Sequence, residues 1–315
     1  LPDDLALQVR GLTKSFGTAL VVNDLSLEVT RGEIFGFLGP NGAGKTTSIN
    51  MMVGLLEPTS GEIWIEGQSI RGKRASVLQR IGVCPQETIL WEKLTCLEQL
   101  EFIGANYNIP SRQARAQGSE LLEALGLSSK ANELAGRLSG GMKRRLNLAL
   151  ALVHDPQIVF LDEPEAGLDP QSRVLVRDYI RFLARRKTVV LTTHNMDEAD
   201  RLADRIAIID HGQLLVVDTP AGLKRRLGEG TILEIELDDL PGQVVQPAIL
   251  CIQQLFPDAS LANHTLTIRG PDLAGRLAQL LQVLQSAGLQ ASDMHMRAIT
   301  LEDVFLSLTG RGLRE

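Results

Sequence analysis

Residues 39–47 read Gly-Pro-Asn-Gly-Ala-Gly-Lys-Thr-Thr, and no other stretch restricts the fold as strongly. The apolar run "EIFGFL" precedes it and the helix-like "SINMMVGLL" follows it. Strand, glycine loop, helix opens an α/β unit. Gly39, Pro40, Asn41, Gly42, Ala43 and Gly44 make a loop whose backbone N–H groups can converge on phosphate oxygens. The helix start adds partial positive charge. Lys45 would reach the β- and γ-phosphates, the hydroxyl of Thr46 would coordinate Mg²⁺, and Thr47 completes the match to G-x-x-x-x-G-K-[ST]. The stretch establishes nucleoside triphosphate binding as the expectation, without a family.

A second set of residues supplies hydrolytic chemistry. "IVFLDEP" is a buried apolar run ending in Asp162 and Glu163. Adjacent strand residues point to opposite sides, so the pair can divide two tasks at the carboxyl end of a strand. Asp162 can hold the Mg²⁺ shell, and Glu163 can orient and deprotonate the attacking water; the alternative is a pair of solvated turn residues, or Asp162 capping a following helix. Gln86, after the apolar "IGVC", could offer its amide oxygen to Mg²⁺ or to that water. His194 ends "VVLTT" before a cap at Asn195, and its imidazole could hydrogen-bond the γ-phosphate and sense its departure.

"LSGGMKRR" poses a puzzle. Ser139 is a good N-cap, and Gly140 and Gly141 permit close backbone approach. Leu146, Leu150 and Val153 form an apolar stripe that anchors the helix. Its start could bind an anion, yet the phosphate loop already occupies one side of a nucleotide. A head-to-tail pair of chains resolves this, each serine-glycine helix covering the nucleotide held by the other.

Along the chain, strands are expected in "LALQVR", "LSLEV" and "GEIWIEG". From about 87 to 137 the pattern turns helical, with Thr95 and Glu98 as a capping box and Ser111 capping a second helix that ends near Gly126. "QIVFLDEP" and "KTVVLTTH" read as strands buried on both faces, as in a parallel sheet. "RIAIIDHGQLLVVDT" reads as two strands joined by a His-Gly turn. After a composition break at "LKRRLGEG" come the strands "TILEIEL", "TLTIR" and "DMHMR". A helix there ends at Gly288, and Thr300 and Asp303 form another capping box. The expected domains are 1–229 and 230–315.

Composition bounds the partners. Aromatics are 4% of 315 residues, so the core is aliphatic, and the net charge of −6 argues against a general nucleic-acid binder. Cys84, Cys96 and Cys251 lack CxxC spacing, so no disulfide framework or zinc site is expected, and a reducing compartment fits. No window approaches a membrane span and no signal peptide is read at the start. The chain is expected to be cytosolic, reaching any membrane through a partner. His264 and His295 are lone histidines, read as structural or exposed.

The ordered set "GPNGAGKTT", "CPQE", "LSGGM", "IVFLDEP", "GLDP" and "TTH" resembles the nucleotide-binding subunit of ABC (ATP-binding cassette) transporters over roughly the first 225 residues. The resemblance implies an α/β P-loop NTPase cassette with a helical insertion, followed here by a small C-terminal α+β domain. It implies two composite ATP sites in a sandwich dimer. By motif, Phe16 in "KSFG" would stack on adenine, and Ser139 and Gly141 would contact the γ-phosphate in trans. Asp169 in "GLDP" would link the two sites. Gln86 and the helical block would meet a transmembrane permease and report nucleotide state. Met142, where many members have glutamine, and the tail "LEDVFLSLTGR" resemble the subgroup serving drug, antibiotic (daunorubicin-resistance type) and lipid exporters. Glu165 stands where threonine is frequent. The C-terminal domain would be a dimer-contact or regulatory extension.

The function expected is ATP hydrolysis powering export by a protein on the inner face of the cell membrane, paired with a second copy or a paralogue. The rival is a soluble ABC ATPase acting on DNA or ribosomes. Long heptad insertions or a second cassette would mark it, and this chain has one cassette and no heptad run. No nucleic-acid partner is expected.

Overall fold

The computed structural model describes residues 4–72, 74–228, 230–238, 245–262, 264–286 and 289–310. The chain divides into two compact units, one reaching Pro220 and the other starting at Ala221. This boundary falls earlier than the one expected at 229–230, ahead of the composition break at "LKRRLGEG".

The first unit begins with β1 (Leu5–Phe16), β2 (Ala19–Thr30), β3 (Ile34–Leu38), α1 (Lys45–Met52), β4 (Ser60–Ile65), β5 (Gln68–Ser69), α2 (Arg74–Leu78) and β6 (Ile81–Cys84). The helical block holds α3 (Cys96–Asn106) and α4 (Ser111–Ala124), then two short 3-10 turns. After it come α5 (Gly140–Leu152), β7 (Ile158–Asp162), α6 (Pro170–Ala184), β8 (Thr188–Thr193), α7 (Met196–Leu202), β9 (Arg205–Asp210) and β10 (Gln213–Asp218). Helix α8 (Pro220–Arg225) lies at the boundary.

Two sheets result. β1 and β2 do not join the parallel sheet. They form an antiparallel sheet in the order β2-β1-β4-β5. The larger sheet runs β10-β9-β3-β8-β7-β6. Its inner neighbours are parallel, and only β10 is antiparallel, turned back by His211 and Gly212, both at positive φ. β3, β7 and β8 are buried at every position, as strands covered on both faces must be. Alternate residues feed two cores. Ile158 and Phe160 pack toward the antiparallel sheet and α1, whereas Val159 and Leu161 pack toward α3, α4, α5 and α6. Each such side chain contributes about 1.5–3 kcal/mol of transfer free energy.

Parallel strands place all their carboxyl ends at one edge. The phosphate loop after β3, Gln86 after β6, Asp162 and Glu163 at β7, and His194 after β8 therefore meet there.

Of the helix caps read from the sequence, only Ser111 fails. Thr95 and Glu98 form the capping box of α3, and Asn195 caps α7 through the Glu198 N–H at 3.2 Å. Ser111 does not cap α4. Pro110 holds that place and Ser111 is already helical, because proline's fixed φ suits the entry.

The second unit runs β11 (Thr231–Leu237), α9 (Val245–Leu255), β12 (Ser260–Ala262), β13 (Thr265–Gly270), α10 (Leu273–Ser286), β14 (Ala291–Ala298) and α11 (Leu301–Thr309). Its sheet is antiparallel, in the order β12-β13-β11-β14. Leu233, Ile235, Leu266 and Ile268 pack with Ile252, Leu280 and Leu284 from the helices. Thr300 and Asp303 form the capping box of α11. Gly288, the expected end of α10, lies outside the described residues.

Candidate functional site

Gly42 and Gly44 have φ of +82° and +96°, in the left-handed region that favours glycine. Gly44 ends the loop as the N-cap of α1 and, as glycine, contributes no side-chain cap bond. The Lys45 ammonium is 6% exposed and donates to the carbonyls of Gly39 at 2.7 Å and Pro40 at 3.1 Å. It lies 3.8 Å from Glu163 Oε1. Burial lowers its pKa, against the opposing pull of the Glu163 and Asp162 charges.

Asp162 closes β7. Its carboxylate accepts from the Thr46 hydroxyl at 3.0 Å and from the Thr192 hydroxyl of β8. Glu163 is not placed by strand alternation. Its φ of +52° turns the chain out of β7 into a conformation that a non-glycine residue adopts at a cost. The Thr192 hydroxyl holds that turn, accepting from the Glu163 N–H at 3.1 Å. The Glu163 carboxylate, nearly buried, accepts from His194 Nδ1 at 2.9 Å. A carboxylate only accepts, so Nδ1 carries the proton there and Nε2 is the ring's free nitrogen. That nitrogen can donate to a phosphate only when the ring is an imidazolium.

Ser139 caps α5, accepting from the Met142 N–H at 3.3 Å. Gly140 faces open space, and a Cβ on Gly141 would sit 3.2 Å from Asp169 Oδ2, so the α5 start and the "GLDP" turn are neighbours within one chain. Asp169 caps α6 through the Ser172 N–H at 3.0 Å, and that bond lowers its pKa.

Two residues with a part here escaped the sequence reading. Thr192 is one; its signal is a hydroxyl inside a fully buried run, which must find a partner. Arg144 is the other, turned inward from the basic run "KRR" to carbonyls of residues 85, 86, 162, 163 and 164. Its signal is the i, i+3 spacing to Asn147 beside a helix otherwise buried from Leu146 onward.

Of the expected residues, Lys45, Thr46, Asp162, Glu163 and His194 are brought into one cluster. Gln86 is exposed after β6, tied in through its carbonyl. Phe16 ends β1 in the other sheet, half exposed, with the Lys14 ammonium 5.1 Å from its ring centre. Glu165 forms a two-pronged pair with Arg177 of α6 at 2.9 and 2.7 Å.

Beside that pair, Glu198 is 4% exposed. One oxygen accepts from the Thr193 hydroxyl at 2.6 Å, and Oε1 has no partner among the described residues. Burial, then the nearby charges of Glu165 and Glu163, push its pKa from 4.5 to about 8. The folded state therefore holds a proton that the unfolded chain has lost, and stability drains away as pH rises from 4.5 toward 8. Glu198→Gln removes the charge. It should gain stability over the parent as pH rises through that window, on the order of 3 kcal/mol at pH 7 as an upper bound. Thermal melts across pH 5 to 9 check this, and a pH-independent difference would contradict it.

A family profile described as ABC transporter matches residues 22–166. A Nod factor export ATP-binding protein I from Rhizobium sp. (strain N33) is 39% identical over 99% of both chains. A linearmycin resistance ATP-binding protein from Bacillus subtilis (strain 168) is 35% identical, covering 98% of this chain and 100% of its own. A daunorubicin resistance ATP-binding protein from Streptomyces coeruleorubidus is 37% identical over 98% of this chain and 96% of its own. Among solved structures, an ATP binding subunit of an ABC transporter superposes with a TM-score of 0.66 at 27% identity, over 71% of this chain and 93% of the other. The phosphate loop and the strand-end carboxylates thus sit in a chain whose relatives match it end to end, and it belongs to the ATP-hydrolysing subunits of the ABC transporter family.

Proposed function

We propose that two copies of the chain, or one copy and a paralogue, close head to tail around two ATP molecules and power export through a separate membrane permease. The observation that carries this is the meeting of Lys45, Thr46, Asp162, Glu163 and His194 at one sheet edge, while Ser139 and Gly140 present a helix start to solvent. Within one chain the phosphates are served by the loop, and the α5 start is left for the partner's γ-phosphate. Phe16 offers a half-exposed ring for adenine, and Asp169, next to Gly141, stands where the two sites would exchange contacts.

The Thr46 hydroxyl and Asp162 carboxylate, 3.0 Å apart, are hard oxygen donors that fit Mg²⁺, with the Gln86 amide oxygen as a further candidate. Mg²⁺ bound there would offset charge on the β- and γ-phosphate oxygens. Glu163 takes the proton of the attacking water. His194 holds the carboxylate in place through Nδ1–H and presents Nε2 outward. Lys45 aims its ammonium from the carbonyls of the loop. ATP favours the closed dimer and loss of the γ-phosphate releases it, a ligand-driven population shift.

The permease would dock beside Gln86. Ile89, Trp91 and Phe102 are exposed there, at 64%, 42% and 47%, and Trp91 and Phe102 stack edge to face. A surface of that kind is expected to be covered. No helix among the described residues is long and apolar enough to cross a membrane, so the transport path would lie in the partner. The relatives' names, which concern Nod factor export and resistance to linearmycin and daunorubicin, support an exported antibiotic or drug-like substrate. Purifying tagged Glu163→Gln protein from native membranes in mild detergent with ATP should bring down a stoichiometric polytopic membrane protein. Recovery only in the soluble fraction, with ribosomes or DNA-bound proteins, would overturn the transport reading.

A further inference from the structure

On the proposed function, Ser139 serves the partner's ATP, while Gln86, Asp162 and Glu163 serve the chain's own. One side chain spans the two. Arg144 lies in the second turn of α5, and the residue is 5% exposed. Its Nη1 donates to the carbonyls of Gln86, at 3.0 Å, and Pro85. Its Nη2 donates to the carbonyls of Glu163, at 2.9 Å, and Asp162, and its Nε reaches the Pro164 carbonyl at 3.4 Å. These acceptors end β6 and β7, which are neighbours in the parallel sheet. Asn147, one turn further along α5, adds a bond to the Pro85 carbonyl at 3.4 Å.

The choice of residue is informative. Every hydrogen bond of the guanidinium found among the described residues goes to a backbone carbonyl. Burying a cation without a carboxylate partner is costly, and an apolar side chain would pack α5 more cheaply. What a guanidinium adds is a planar fork of fixed donors, able to hold several carbonyls in one relative geometry. A lysine ammonium is a point charge with three donors and cannot span that set. The held carbonyls belong to the residues whose side chains do the chemistry. Glu163 is also the residue in the left-handed turn, so a shift of its carbonyl redirects its carboxylate.

We propose that Arg144 is a positioning residue that couples the two nucleotide sites of the dimer. Contact of Ser139 with the partner's ATP moves α5 as a rigid body, and the Arg144 fork passes that movement to Gln86, Asp162 and Glu163. Each site then hydrolyses well only when the other is occupied. The inference rests on the trans placement of Ser139.

The test compares the full chain with its Arg144→Lys, Arg144→Gln and Ser139→Ala variants. ATPase rate is followed against ATP concentration, with equilibrium ATP binding and melting temperature measured alongside. The parent should respond sigmoidally, with a Hill coefficient rising toward the number of sites. Both Arg144 variants should bind ATP within about twofold of the parent, turn over about 10- to 100-fold more slowly, and respond hyperbolically. Arg144→Lys retaining parental turnover and sigmoidicity would overturn the proposal. So would variants whose ATP affinity and melting temperature fall in step with rate, since Arg144 would then only hold the fold. A hyperbolic parent would overturn the proposal alone, whereas an unaffected Ser139→Ala would remove the trans reading and the proposal with it. Impaired Ser139→Ala beside unaffected Arg144 variants would sink the proposal alone.

Discussion

Glu163→Gln is expected to bind ATP at least as tightly as the parent while turning it over about 10²- to 10⁴-fold more slowly. The amide is isosteric, so its oxygen can still accept from His194 Nδ1–H, and the turn after β7 keeps its bond to Thr192. What disappears is the basic carboxylate at that position. The Lys45 ammonium, 3.8 Å away, also loses an anionic neighbour and becomes freer to serve phosphate. Hydrolysis stalls, closure does not, and the closed state accumulates. Single-turnover kinetics with size-exclusion chromatography in ATP reads both effects. Hydrolysis at near-parental rate would remove Glu163 as the base. Slow hydrolysis without an ATP-dependent dimer would leave the base standing and count against the sandwich.

Much of this site could be read from the chain because its motifs are local. A phosphate loop needs its glycines and lysine in one short run, and a strand ending in two carboxylates announces itself through apolar residues followed by charge. The parallel sheet was legible for the same reason, since β7 and β8 are unbroken apolar runs. The antiparallel placement of β1 and β2 was not, because half-buried alternation marks a strand without saying which sheet it joins. Thr192 and Arg144 were hidden by a different cause. Their partners lie 30 and up to 59 residues away, on neighbouring strands, and only the sheet's pairing brings them together. The placement of Glu163 was expected on the wrong geometric ground. Alternation suggested a division between two faces, whereas a left-handed turn does the aiming.

The second unit was less legible. Its strands were recognised as β11, β13 and β14, but α9 and β12 were not. Pro247 falls within α9, in the first turn, where a missing N–H costs nothing, so a residue that reads as a breaker does not break it. β12 is three residues long, too short to show a period.

Gly39→Ala should weaken nucleotide binding by roughly 10²-fold, and for a reason different from the one that makes glycine favoured at Gly42. Gly39 does not sit at positive φ. A Cβ there would lie 2.2 Å from the Ile209 carbonyl oxygen of β9 and 3.3 Å from the Ala43 Cβ. The first contact is with backbone, inside a strand paired to β3, so no side chain can swing aside to relieve it. Either the loop lifts from β9 or β9 leaves its register. Restoring an ordinary contact needs a displacement of about 1 Å, and a misplacement of that size in a binding constellation costs roughly 10²-fold. Gly42 is the reverse case. Its φ is +82° and nothing lies within 4 Å of the added Cβ, so alanine meets conformational strain alone. That cost is about 1–2 kcal/mol, or roughly 5- to 30-fold in affinity if the loop must keep its shape. Calorimetric ATP titration of the two variants, with melting temperatures as a check on folding, should rank Gly39→Ala well below Gly42→Ala. Equal losses would mean that loop conformation, rather than the close approach of β9, sets the requirement at both positions, and parental binding by Gly39→Ala would contradict the packing of the loop on β9 itself.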